Sequence, residues 1–176
     1  NRIHLKHRGG GATMILIALE SLIGLQIYPK AFVPTAAWTE EQSTLPIKNI
    51  KQLIRDCRYN IDLEKPLDQF PDSYITFKSG AIIKAFAGGN PQAIHGRRAL
   101  WGYLDEFALT RYQRELIEAF NYFFTEGGQL SIISTAYGRT NEFWDILQNY
   151  KKMGYYRLSE QRVRSMREGR GSSTLM

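Results

Sequence analysis

The feature that most restricts the fold is a rhythm. Short apolar runs alternate with longer stretches of helical character, and the runs end in small, polar or turn-forming residues. Leu100–Leu104 is the clearest run, closed by Asp105-Glu106. A continuous apolar run of this length suits a strand covered on both faces. Ile3–Lys6, Ala31-Phe32-Val33, Gln129–Ser134 and Tyr155–Leu158 read the same way, with Pro34 expected to stop the second of these. Tyr74–Phe77 and Ala81–Ala87, joined by Lys78-Ser79-Gly80, read as a hairpin. Between them lie a helix over Thr13–Leu25, apolar nearly all round and so expected to be buried, and a helical stretch that starts at Thr39 and resumes after Pro46 to about Tyr59. Two more follow, one over Thr110–Phe124 with Thr110 as its cap, the other over Asn141–Lys152. Strands alternating with helices predict an α/β fold, a mainly parallel central sheet flanked by helices. Such sheets bind ligands at the carboxyl ends of their strands.

The 176 residues are 43% hydrophobic and 23% charged, enough for one globular core. The single cysteine, Cys57, excludes an internal disulfide. Most of the net charge of +6 sits at the end of the chain, where residues 151–176 hold seven Lys and Arg against Glu160 and Glu168. This basic end suits nucleic-acid phosphates or a solvated tail. We expect a domain over residues 1–158 and a basic helix or tail over 159–176. The apolar run Ala12–Leu19 follows Arg2, Lys6 and Arg8, but Glu20 breaks it and no cleavage site follows, so it is not read as a signal peptide. It is too short to span a bilayer, and no membrane role is expected. His4 and His7 lack a further ligand pair at metal-binding spacing.

Three segments carry chemistry. Arg8-Gly9-Gly10-Gly11-Ala12-Thr13 is a glycine turn opening a helix. Backbone N–H groups in such a turn cradle phosphates, and the Thr13 hydroxyl suits Mg²⁺. A phosphate loop carries lysine before that threonine, and here Ala12 takes its place. Asp105 and Glu106 at a strand end suit metal-assisted phosphoryl transfer, the first holding Mg²⁺ and the second polarising water. Ser134-Thr135 ends a strand in hydroxyl groups able to reach toward a terminal phosphate. Asp105-Glu106 and the glycine turn each arise by chance. Their order along the chain is the stronger signal.

That order resembles helicase-like P-loop ATPases, and more narrowly the ATPase domain of the viral large terminase subunit. The resemblance rests on Arg8 four residues before Ala12, on Phe32-Val33-Pro34-Thr35 followed by Glu41-Gln42, and on the hairpin Ile75–Ile83. It rests also on Asn90–Gly96 and on Ile133–Ala136 followed by Asn141 and Phe143. It covers roughly residues 3–150. It implies ATP and Mg²⁺ held by residues 8–13 and Asp105, with Glu106 activating water. It implies an arginine finger among Arg8, Arg97 and Arg98, and coupling through Ser134 and Thr135. It also implies double-stranded DNA, a portal and procapsid, a small terminase subunit and a homo-oligomeric ring as partners, in the cytoplasm of an infected host cell.

The chain departs from that pattern in several places. His95 stands where the family usually has arginine, the adenine-gripping segment and the nuclease domain are missing, and Ala12 is expected to impair hydrolysis. For the two missing segments we expect an excised ATPase domain or a chain seen in part. Another helicase-like translocase, or a non-catalytic DNA-binding or assembly module on a degenerate ATPase scaffold, remains open at this point.

Overall fold

The computed structural model describes residues 1–6, 11–91, 94 and 98–159, with the side chains of 125–127 and 157–159 outside it. Seven strands form one sheet. In chain order they are β1 (Arg2–Leu5), β2 (Phe32–Ala37), β3 (Tyr74–Thr76), β4 (Ile82–Ala87), β5 (Ala99–Asp105), β6 (Phe124–Ser134) and β7 (Tyr156–Ser159). Across the sheet the order is β3-β4-β2-β5-β6-β1-β7. Every pairing is parallel except β3 with β4, the expected hairpin.

Helices cover both faces. A π-wound segment, Thr13–Leu19, continues as α1 (Glu20–Ile27). It packs with α2 (Glu40–Asp56) over Val33, Ile83, Tyr103 and Ile133. On the other face, α3 (Gln113–Asn121) and α4 (Glu142–Asn149) cover Ile3, Leu104, Leu130 and Ile132. Phe120 and Phe123 are buried there, Phe124 partly so, and Trp101 is partly buried on the first face.

Four expectations need correction. β2 does not stop at Pro34 but runs to Ala37 in the centre of the sheet. Pairing with β5 begins only at Thr35↔Tyr103, one residue past the proline, and the neighbouring Gly102 has no Cβ to meet the Pro34 ring and carbonyl. α2 likewise runs unbroken through Pro46. Pro46, Ile47 and Ile50 are all buried on its inner face, and that burial offsets the backbone bond that proline cannot donate. Thr110 is not a cap: α3 starts at Gln113, and the buried Thr110 offers its carbonyl to Gln113 Nε2 at 3.0 Å. The first helix is not buried all round. Ile15, Leu19, Ile23 and Ile27, four residues apart, form an exposed stripe. Cys57 is free and half-buried at the end of α2. No helix among the described residues is long and apolar enough to cross a membrane.

Candidate functional site

β5, β6 and β1 are neighbours in the sheet, and all three end at the same edge. The register places Leu104 beside Ile132 and Leu5 beside Ser134. Chain segments far apart in sequence therefore deliver Asp105, Ser134-Thr135 and Lys6 to one place. The N–H of Lys6 donates to the Ser134 carbonyl at 2.9 Å, which carries the β1–β6 pairing one residue beyond the strand.

Side chains alternate across a strand, so Tyr103 and Asp105 share the face covered by the first helix. Thr13, the first residue of that helix, follows Gly11, whose φ of +71° suits glycine. The Thr13 hydroxyl donates to Asp105 Oδ2 at 2.5 Å. Asp105 is buried. Its other oxygen, Oδ1, accepts from the N–H of Glu106 at 3.0 Å and from Lys6 Nζ at 2.7 Å.

Glu106 has a left-handed backbone, φ 48° and ψ 35°. A non-glycine residue in that region stores strain, and such strain clusters at functional sites. The turn aims the carboxylate back over the sheet edge: Oε1 lies 3.0 Å from Lys6 Nζ, and Oε2 accepts from the Thr135 hydroxyl at 3.3 Å. A 3₁₀ turn, Phe107–Leu109, anchors the next residues through buried Phe107 and Ala108. The N–H of Ala108 donates to the Ser134 hydroxyl at 3.0 Å.

Lys6 thus touches both carboxylates and lies 3.4 Å from the Thr13 hydroxyl. Burial, the largest single influence, favours loss of its proton, but Asp105 and Glu106 together outweigh it and raise its pKa. The ammonium is therefore charged at neutral pH.

A scan against family models returns no match, and neither does a search of curated proteins. Solved structures do match. The large terminase of a thermophilic bacteriophage, in complex with ADP, superposes with a TM-score of 0.71 at 17% identity, over 90% of this chain and 40% of that one. The fold is that of a phage large terminase ATPase domain. The Thermus phage P74-26 large terminase ATPase domain gives a TM-score of 0.58 at 16% identity, over 82% of this chain and 62% of that one. The HK97 bacteriophage large terminase gives 0.64 at 15% identity, over 86% of this chain and 33% of that one. The chain therefore spans well under half the length of the first and last of these terminases.

Of the residues singled out in the sequence, this fold brings Thr13, Asp105, Glu106 and Thr135 together. Ser134 is adjacent, but its hydroxyl is wholly buried and accepts the Ala108 N–H, so it secures the turn beyond Glu106 rather than facing a ligand. Gly11 and Ala12 lead into Thr13. Arg8, Gly9, Gly10 and Arg97 lie outside the described residues, as does His95. Arg98 is not brought to the site. It precedes β5 and stands at the opposite sheet edge, roughly 20 Å from Asp105 at about 3.3 Å per residue. Lys6 is the residue that sequence reasoning misses. There it counts only among the basic residues of the N-terminus, although a lysine closing a strand just before a glycine turn is itself a signal.

The donor set fits a magnesium ion. A threonine hydroxyl and an aspartate carboxylate are hard oxygen donors, already in contact, and Mg²⁺ is ordinarily held by one or two such groups plus substrate phosphates. Among the described residues no cluster of three or more His, Cys, Asp or Glu could hold a metal unaided.

Proposed function

We propose that this chain is the ATPase domain of a DNA-packaging motor, and that Lys6 does the work of the lysine missing at position 12. The observation that carries this reading is the meeting of Lys6, Thr13, Asp105 and Glu106 at the ends of adjacent strands. Thr13 and Asp105 would hold Mg²⁺, which supplies charge neutralisation to the phosphates when bound. Glu106, held by Thr135 in a strained turn, orients and deprotonates the attacking water. Lys6 supplies the cation that phosphate binding needs, reaching the site from the strand rather than from the loop. On this reading Ala12 is no block to hydrolysis, and the degenerate-scaffold alternative loses its main support. In the longer protein the domain would couple hydrolysis to movement of duplex DNA, held by its backbone phosphates without sequence preference, as a ring on a portal in an infected cell.

The test is Mg-dependent ATP hydrolysis and nucleotide binding, with and without duplex DNA. Lys6→Met should weaken nucleotide binding roughly tenfold to hundredfold, from loss of about 1.5–3 kcal/mol of charge-assisted hydrogen bonding. Glu106→Gln should retain binding and lose turnover. Hydrolysis by Lys6→Met at the wild-type rate would sink the assignment of Lys6. Failure of the parent chain to bind nucleotide would sink the ATPase reading.

A further inference from the structure

The position of Lys6 has a consequence beyond phosphate binding. Its ammonium lies 2.7 Å from Asp105 Oδ1, 3.0 Å from Glu106 Oε1 and 3.4 Å from the Thr13 hydroxyl oxygen. Two of these groups, Thr13 and Asp105, are the donors a magnesium ion would use. The side chain is only 11% exposed, so little water screens it. A tethered cation therefore offsets part of the carboxylates' charge from within the chain.

We propose that Lys6 is an exchangeable internal cation: without ligand it holds the magnesium position, and it leaves only when nucleotide phosphates offer it another anion. This rests on the nucleotide-site reading above and adds an order of events to it. A free divalent ion meets an Asp105 carboxylate that is already paired, and displacing Lys6 from it would cost a buried ammonium its shorter ion pair and leave it Glu106 alone. A metal arriving with a nucleotide brings the phosphates that receive the ammonium, so metal and nucleotide bind as one unit. The same exchange releases Glu106 from Lys6, freeing its carboxylate for water only once substrate is present. Unliganded enzyme is thus held with its base masked.

The deciding measurement is Mn²⁺ binding to the nucleotide-free chain, read by electron paramagnetic resonance. Wild type should bind Mn²⁺ weakly at this site, and Lys6→Met should bind one Mn²⁺ at least tenfold more tightly. Adding Asp105→Asn to Lys6→Met should remove that gain. Equal Mn²⁺ affinity in wild type and Lys6→Met, or a gain that survives Asp105→Asn, overturns the proposal. Should Lys6→Met fail to fold, the native chain answers by NMR of its lysine ammonium groups. The Lys6 signal should shift with Mg-ADP and stay in place with Mg²⁺ alone, and a shift with Mg²⁺ alone overturns the proposal. The two readings fail separately: Mn²⁺ exchange without nucleotide binding leaves the internal cation and removes the ATPase, and the reverse result does the opposite.

Discussion

At the scale of single residues, the buried charges on the sheet face under α1 set the behaviour of the site. Thr13, Asp105 and Glu106 are legible in the sequence because each belongs to a short motif whose chemistry is local. Lys6 is not, because its relation to Asp105 exists only once β6 is laid between β5 and β1. His4, two residues before Lys6 on the same face of β1, is 5% exposed, and its pKa is lowered to about 4, by burial first and by Arg2 next, with Glu20 opposing. The folded chain thus keeps His4 neutral at a pH where the unfolded chain has protonated it. The resulting stability is present in full above about pH 6.5 and is lost as pH falls toward about 4, to a limit on the order of 3 kcal/mol. Urea midpoints between pH 7 and pH 5 should fall for wild type and fall less for His4→Leu. Parallel slopes would show that other groups carry the acid sensitivity. Thr135→Val removes the hydroxyl that steadies Glu106 and should lower turnover about tenfold with nucleotide affinity unchanged, as one poorly placed base would. A matching loss of affinity, measured by calorimetry, would place Thr135 on the ligand instead.

At the scale of elements, periodicity locates nearly all the strands and helices, and the misplaced boundaries have physical causes. Propensity rules place Pro34 at a strand end and Pro46 at a helix break, yet tertiary packing overrides both. The override at Pro34 depends on Gly102, which cannot be recognised from sequence because it lies 68 residues downstream and becomes a neighbour only through β2–β5 pairing. A Cβ on Gly102 would stand 3.0 Å from both the ring Cγ and the carbonyl oxygen of Pro34, and 3.1 Å from the Phe124 ring. Neither backbone nor proline ring gives way easily. Gly102→Ala should therefore destabilise the domain by about 1–3 kcal/mol, and a thermal melt should show it as a drop of several degrees. An unchanged melting temperature would mean that β2 and β5 slide apart at little cost. Because Gly102 is three residues before Asp105, the same variant should also blunt nucleotide binding.

At the scale of the whole molecule, the site belongs to no local unit. Its groups come from position 6, from 13, from 105 and 106, and from 135, and they meet only when the parallel strands β5, β6 and β1 are assembled. An unfolded chain therefore presents no version of the site, and a ligand bound there is linked to unfolding of the entire sheet. At a ligand concentration of about 100 times Kd this linkage contributes about 2.7 kcal/mol, which for a domain of this size raises the melting temperature by roughly 5–10 °C. Mg-ATP should produce such a shift in the parent chain. Glu106→Gln should show it too, since that change alters the proposed base and leaves Thr13, Asp105 and Lys6 in place. Asp105→Asn should lose most of it while its ligand-free melting temperature moves in either direction, because the substitution also removes a buried partner of Lys6. The diagnostic quantity is the ligand-induced shift within each variant, not the absolute temperature. A full shift in Asp105→Asn would mean that nucleotide binds away from the β5–β6–β1 edge.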